Sequence, residues 1–374
     1  MASTYLRFLR NKLLVNHTQP LSSQRVLRRA DVCEDPTHPF KHLVRRLLHQ
    51  SPSSASTAPK LESNNGIKLE SMRRNLHNGK KNTMFTEELN RQKDLIPRIE
   101  KIHVQYKGAP NDAQLELNKG LSTPFDIAQH LSEDLIEQSA LALVNEEVWD
   151  MGRPLENDCS VELLHFYQDE PFHVNRAFWR SCSFLLGAAL ESVFKDEVRV
   201  TLHSFPAPNV TTGSFVYDVE LNIDDWLPTK EELMVISAAM HRLSEKSLPF
   251  ERLVVDAKVA VEMFSDNKFK TNQIPNIAAK SKTGNSVTLY RAGEHVDISG
   301  GPMVGDTSFL GRRCTIASCH KIDYDNVQLY RFQGVALPKG VFLSHYAFGI
   351  LEKRASRLND ANLHSAKSVT QKLV

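Results

Sequence analysis

Cys314, Cys319 and His320 lie close enough along the chain to raise the question of a zinc site. A closed structural zinc takes four ligands. No second pair follows at a matching interval, so two buried thiols are the expectation and no metal is assigned. Phosphate-cradling and dinucleotide loops need GxxxxGK[ST] or GxGxxG. Neither occurs, and the glycine cluster Ser299-Gly-Gly-Pro-Met-Val-Gly305 fits neither spacing. Lys282-Thr283-Gly284 matches three residues of a penicillin-binding motif without its partners. His241, His295 and His345 stand alone, each expected as a surface or satisfied core residue. Residue types and spacing therefore name no catalytic set and no cofactor.

The charged residues are more informative. The chain has 374 residues with a formal net charge of +2. The first 100 carry 18 Lys+Arg against 9 Asp+Glu, and the remainder 28 against 35. A basic leader thus precedes an acidic body, and the body as a whole is no electrostatic nucleic-acid binder. Between residues 72 and 98 lie Arg73, Arg74, Lys80, Lys81, Arg91, Lys93 and Arg98. A helix is expected from Thr86 toward Pro97. Two readings stay open: a solvated surface helix, or an extension lying on RNA phosphates.

Residues 1–30 hold six Arg and Lys and no acid, with Leu6, Leu9, Leu13 and Leu14 at near-helical spacing. That is the composition of a mitochondrial presequence. The run Ser51-Pro-Ser-Ser-Ala-Ser-Thr-Ala-Pro59 cannot bury enough apolar surface to offset ordering and is expected to be disordered. Five scattered cysteines fit a reducing compartment. No apolar run approaches the ~20 residues of a membrane span.

Regular patterning begins near residue 99. Ile102, Val104 and Tyr106 alternate as in a strand, as do Leu115 and Leu117. Thr123-Pro124-Phe125-Asp126 reads as a helix start, with Ile127, Leu131 and Leu135 as its buried stripe. Strands are expected at 140–144, 147–149 and 163–167. Together these suggest a small β-grasp-like α+β module. From Pro171 a larger segment follows. It has an apolar helix over 178–190, strands at 198–205 and 215–221, and a capping box at Thr229-Lys-Glu-Glu232. Later strands are expected at 286–291 and 327–335, and a closing helix at 343–358. The division is into a leader and linker (1–60), a basic extension (61–99), the β-grasp module (100–168), the larger α+β domain (169–355) and a polar tail (356–374).

Leu121-Ser-Thr-Pro-Phe-Asp-Ile-Ala128 and Val148-Trp-Asp-Met-Gly-Arg-Pro-Leu155 resemble the TGS domain of threonyl-tRNA synthetase. The next segment resembles that enzyme's editing domain. The residues that carry the likeness are Arg180–Leu190, Gly213–Asp218, Thr229–Leu233 and Leu289–Pro302. The similarity spans about residues 100–355. The family places HxxxH on its first long helix and CxxxH in a later loop, four side chains that hold water and substrate for hydrolysis of mischarged seryl-tRNA. Here those positions are Arg180, Phe184, Ser299 and Met303. Arg accepts no proton at neutral pH, and Phe and Met do not titrate. Asp297 matches the family's acid and alone reads as a hydrogen-bonded turn residue. No editing hydrolysis is expected, and Phe184 and Met303 are expected to pack together and close the old cleft. Only about 20 residues follow Leu351, too few for an aminoacylation core.

Mitochondrial address, two synthetase-like domains and substituted editing residues also resemble a family of large-subunit mitochondrial ribosomal proteins related to the synthetase's N-terminal half. The resemblance implies a structural role in the matrix. Its partners would be mitochondrial large-subunit ribosomal RNA and neighbouring ribosomal proteins, with no membrane span and no small-molecule substrate. The alternative is a free-standing tRNA-related protein, either a trans-editing hydrolase or a regulatory module binding tRNA or an amino acid.

Overall fold

The computed structural model describes residues 62–361 apart from 97, 196, 224 and 225, with side chains on the first helix from residue 78. The expected presequence, the Ser/Pro run, the end of the tail and the side chains of Arg73 and Arg74 lie outside these described residues.

The first helix is α1 (Glu62–Asp94). It is longer than expected, and Thr86 is a mid-helix residue rather than its start. The reason is a docking stripe that the polar composition hides. Phe85 is fully buried, and Met84 and Leu89 pack beside it against a second cluster of apolar residues. Asn82 donates to the Glu294 carbonyl at 2.7 Å, and Gln92 to the Val254 carbonyl at 2.8 Å. Arg291 donates to Thr86 Oγ1 at 2.7 Å and lies over the Phe85 ring.

The β-grasp module is a five-stranded sheet in the order β2-β1-β5-β3-β4. Its strands are β1 (Lys101–Lys107), β2 (Ala113–Asn118), β3 (Leu141–Val144), β4 (Glu147–Trp149) and β5 (Cys159–Leu164). Strands β1 and β5 run parallel. Ile102, Val104 and Tyr106 point to the core and alternate with exposed residues, as the pattern requires. Helix α2 (Pro124–Leu131) opens with the expected Thr123 cap, which Asp126 extends into a capping box. The single stripe through Leu135 is corrected, because Ser132 is extended (φ −167°, ψ 143°) and caps a separate helix, α3 (Glu133–Gln138). The strand expected at 163–167 ends at Leu164, where the Gln168 side chain and the His165 ring take the backbone amides of His165 and Tyr167.

The larger domain has two sheets. The first orders β11-β12-β7-β6 and the second β10-β9-β8. Its strands are β6 (Val200–Ser204), β7 (Phe215–Leu221), β8 (Glu251–Asp256), β9 (Ser286–Ala292), β10 (His295–Ile298), β11 (Leu310–Tyr324) and β12 (Val327–Pro338). Its helices are α4 (Phe172–Val193), α5 (Lys230–Glu245), α6 (Ala257–Met263), α7 (Lys268–Ala279) and α8 (His345–Ala355). Helix α4 is buried from Ser181 to Leu190 and forms the core's axis. Gly187 lets β7 approach: a Cβ there would lie 2.7 Å from the Tyr217 ring. That contact fixes where Tyr217 can point. On β12, Arg331 is buried and makes a two-pronged pair with Asp218 (2.8 and 2.7 Å). Its remaining nitrogen donates to the carbonyls of Asn359 and Ala361, which holds the chain after α8.

Candidate functional site

Helix α4 presents Arg180 and Phe184 one turn apart, and the loop after β10 presents Ser299 and Met303. Phe184 and Met303 are fully buried in one apolar cluster. They fill the space against different neighbours. The Phe184 ring stands edge-on to Phe250 and His295, whereas the Met303 sulfur takes the Ser181 hydroxyl at 3.5 Å. The loop is clamped from three sides. The Met303 amide donates to the Asp150 carboxylate (2.8 Å), the Val304 amide to Ser181 Oγ (3.0 Å), and Arg180 Nη1 to the Pro302 carbonyl (2.9 Å). Ser299 is buried, and its hydroxyl accepts from the Gly301 amide at 3.3 Å. Gly301 has φ +59°, and a side chain there would collide with Tyr290. Burial and the neighbouring Arg176 lower the Arg180 pKa to about 10. It is still a cation at neutral pH and supplies no base.

Asp297 is not a turn residue. It lies on β10, fully buried, in a network whose other members nothing along the sequence joins to it. Lys270 on α7 pairs with Asp297 Oδ1 at 2.5 Å, and Tyr217 donates to Oδ2 at 2.5 Å. Lys270 is itself 2% exposed and reaches the Tyr217 hydroxyl at 3.3 Å. Burial alone would push the Asp297 pKa up. The Lys270 ammonium, with a smaller contribution from the His295 side, outweighs it and holds the carboxyl below its ordinary range, while burial and this carboxylate push Tyr217 well above its own. His295 Nδ1 meets Glu191 at 2.6 Å, and His295 Nε2 is buried with no hydrogen-bond partner. Lys270 and Glu191 are separated by tens of residues from β7 and β10, so only the fold could reveal this network.

Among the described residues no three His, Cys, Asp or Glu side chains converge on a point that could hold a metal. Cys314 is buried and pushed up to about 12 by desolvation, while the His320 ring turns to Ser318 and Ser356. His241 is half-buried on α5, and His345 is exposed at the start of α8.

The basic extension divides in two. Lys81 is buried, paired with Asp266 at 3.5 Å and lying over Phe264, so it points away from any phosphate. Arg91 is engaged by Glu88 at 2.7 Å. Lys80, Lys93 and Arg98 are exposed.

Against known proteins, residues 108–165 match the TGS domain. The large ribosomal subunit protein mL39 of Drosophila melanogaster is 50% identical over 287 residues, which cover 76% of this chain and 85% of that protein. The chain belongs to the mL39 family. It is also similar to threonine–tRNA ligases: 31% identical over 232 residues to a probable cytoplasmic one of Dictyostelium discoideum, and 33% over 244 residues to a mitochondrial one of Arabidopsis thaliana. Those matches cover 30% and 32% of the ligases. The mL39 relationship therefore spans nearly a whole protein, and the ligase relationship only a part of one.

Proposed function

We propose that the chain is a structural constituent of the large subunit of the mitochondrial ribosome, located in the matrix, and that it performs no catalysis. The family relationship at 50% identity across 85% of its relative carries the ribosomal role. The non-catalytic part rests on the cleft: two of the four editing positions hold fully buried apolar side chains, and a third is a guanidinium bonded to a carbonyl. The TGS-like and editing-like segments serve as packing surfaces, with large-subunit ribosomal RNA and neighbouring ribosomal proteins as partners. Lys80, Lys93 and Arg98 are the extension's candidate phosphate contacts, since long-range attraction to RNA needs exposed charge.

Sedimentation of a mitochondrial lysate in magnesium, with and without EDTA or RNase, tests the assignment. Co-migration with the large subunit, kept after EDTA and lost after RNase, is expected. A chain that stays at the top of the gradient overturns it. Seryl-tRNA deacylation by the purified protein above a boiled control would overturn the non-catalytic reading.

A further inference from the structure

Three arginines gather at the junction of the two folded segments around one buried carboxylate, and a fourth stands beside one of them. Asp150 follows β4 and is 6% exposed. Its oxygens are occupied by the Tyr290 hydroxyl (2.9 and 3.0 Å) and the Met303 amide. Arg252 on β8 approaches it at 3.8 Å, beyond hydrogen-bond reach. Arg153 lies flat on Trp149, 3.3 Å from the ring centre, with Nη2 against the exposed Glu156 at 3.3 Å. Arg180 spends one nitrogen on the Pro302 carbonyl. Arg176 is exposed one helical turn before Arg180, on the same face.

We infer that Arg153, Arg176, Arg180 and Arg252 form a binding site for the phosphodiester backbone of RNA. The proposal rests on the ribosomal reading above and names a contact surface within it. Its ground is a charge imbalance. Four guanidinium groups face two carboxylates, one already bonded to a tyrosine and an amide and the other largely in solvent. The arginines feel one another: burial and Arg252 lower the pKa of Arg153, and burial and Arg176 lower that of Arg180. Such a cluster is unfavourable in isolation and suits a dianionic or polyanionic partner. The patch is an exception on a body with 28 basic and 35 acidic residues after position 100. Phosphate oxygens suit it because a guanidinium offers a planar fork of donors, and Arg153 is already held flat by the indole. An acidic protein segment is the competing occupant.

The full-length protein would be titrated with a labelled 20-nucleotide RNA over a range of salt. The variants are Arg176→Glu alone, at an exposed position, and Arg153→Glu with Arg176→Glu. The control carries Lys339→Glu with Lys353→Glu, an equal change of charge near and on α8. Thermal melts check folding of each. The junction pair is expected to weaken binding tenfold or more and to lower the salt slope by about 1.4, since each phosphate contact on a single strand contributes about 0.7. The control is expected to weaken it less than twofold. Equal losses in both pairs, or no loss in either, overturn the site. Polyglutamate displacing the wild type as well as unlabelled RNA does so too and points to a protein partner. Should the pair misfold, Arg176→Glu alone decides, with a threefold loss expected and none overturning the site. Gradient sedimentation separates this from the underlying reading. A wild type absent from the large subunit defeats the ribosomal role, whereas a wild type present there with variants that bind RNA normally defeats only the arginine site.

Discussion

The ring of Phe184 stands edge-on to the ring of His295, centroids 4.7 Å apart and planes at 72°. The phenyl group closes over a histidine that the same helix, α4, supplies with a carboxylate through Glu191. Phe184 is thus a piece of core, and its stability follows core rules.

Phe184→Ala is expected to cost about 3–5 kcal/mol, as for buried aromatic truncations generally. Urea unfolding followed by tryptophan fluorescence and circular dichroism measures it. A loss below 1 kcal/mol means that the site tolerates a void and is not filled core.

Lys270→Met leaves the Asp297 carboxylate buried with its cation gone. Breaking a buried pair from one side costs about 3–5 kcal/mol, whereas replacing both partners by apolar residues is often close to neutral. Lys270→Met with Asp297→Leu is therefore expected to be more stable than Lys270→Met alone. Equal instability of the single and double variants would show that Tyr217 and His295, not the lysine, set the carboxylate's energy.

Acid should act on two aspartates with opposite sign. Asp297 is held below its unfolded value of about 3.9, so its contribution is full above that pH and lost as the pH falls through the folded value. Asp150 is raised by burial, so its contribution is full below about 3.9 and lost as the pH climbs through its folded value. Asp150→Asn keeps an acceptor for the Met303 amide. It should remove the decline of stability with rising pH above about 4 and leave the acid loss intact. Denaturation midpoints at a series of pH values show whether the two slopes separate in this way.

Arg331→Met should release the segment after α8, because one guanidinium ties Asp218 to the carbonyls of Asn359 and Ala361. Amide exchange over 356–361 is expected to accelerate at least tenfold while β9 and β10 stay protected. Unchanged exchange would show that Gln333 and Asn359, which also bond there, suffice.

Thiol reagents should leave Cys182 and Cys314 untouched in the native protein. Both are buried, and desolvation pushes Cys182 well up and Cys314 to about 12. Mass spectrometry after iodoacetamide, native and in urea, checks this, and native labelling of either would place it nearer the surface.

Short-range signals were legible and long-range ones were not. The Thr123 and Thr229 caps, the β1 alternation and the apolar stretch of α4 are visible because each depends on neighbours within a turn or a strand. Strands β8, β10 and β11 and helices α6 and α7 were not foreseen. In β11, Arg312, Arg313, His320 and Lys321 break the apolar alternation on a sheet edge, and Pro275 sits inside α7. The family motif directs attention to Arg180, Phe184, Ser299 and Met303. It does not join Lys270 and Tyr217 to Asp297, which they meet only through packing. Lys81 looked like its exposed neighbour Lys80, and the docking of Phe85 four residues on is what turns it inward.

The Gln92–Val254 hydrogen bond lies along β8, the last strand of its three-stranded sheet. A terminal strand with free carbonyls invites a foreign strand to extend the sheet. With α1 laid beside it and one of those carbonyls occupied, that rim is shielded. A copy not yet built into a larger particle would therefore resist pairing with its twins, so the extension guards against aggregation as well as carrying charge.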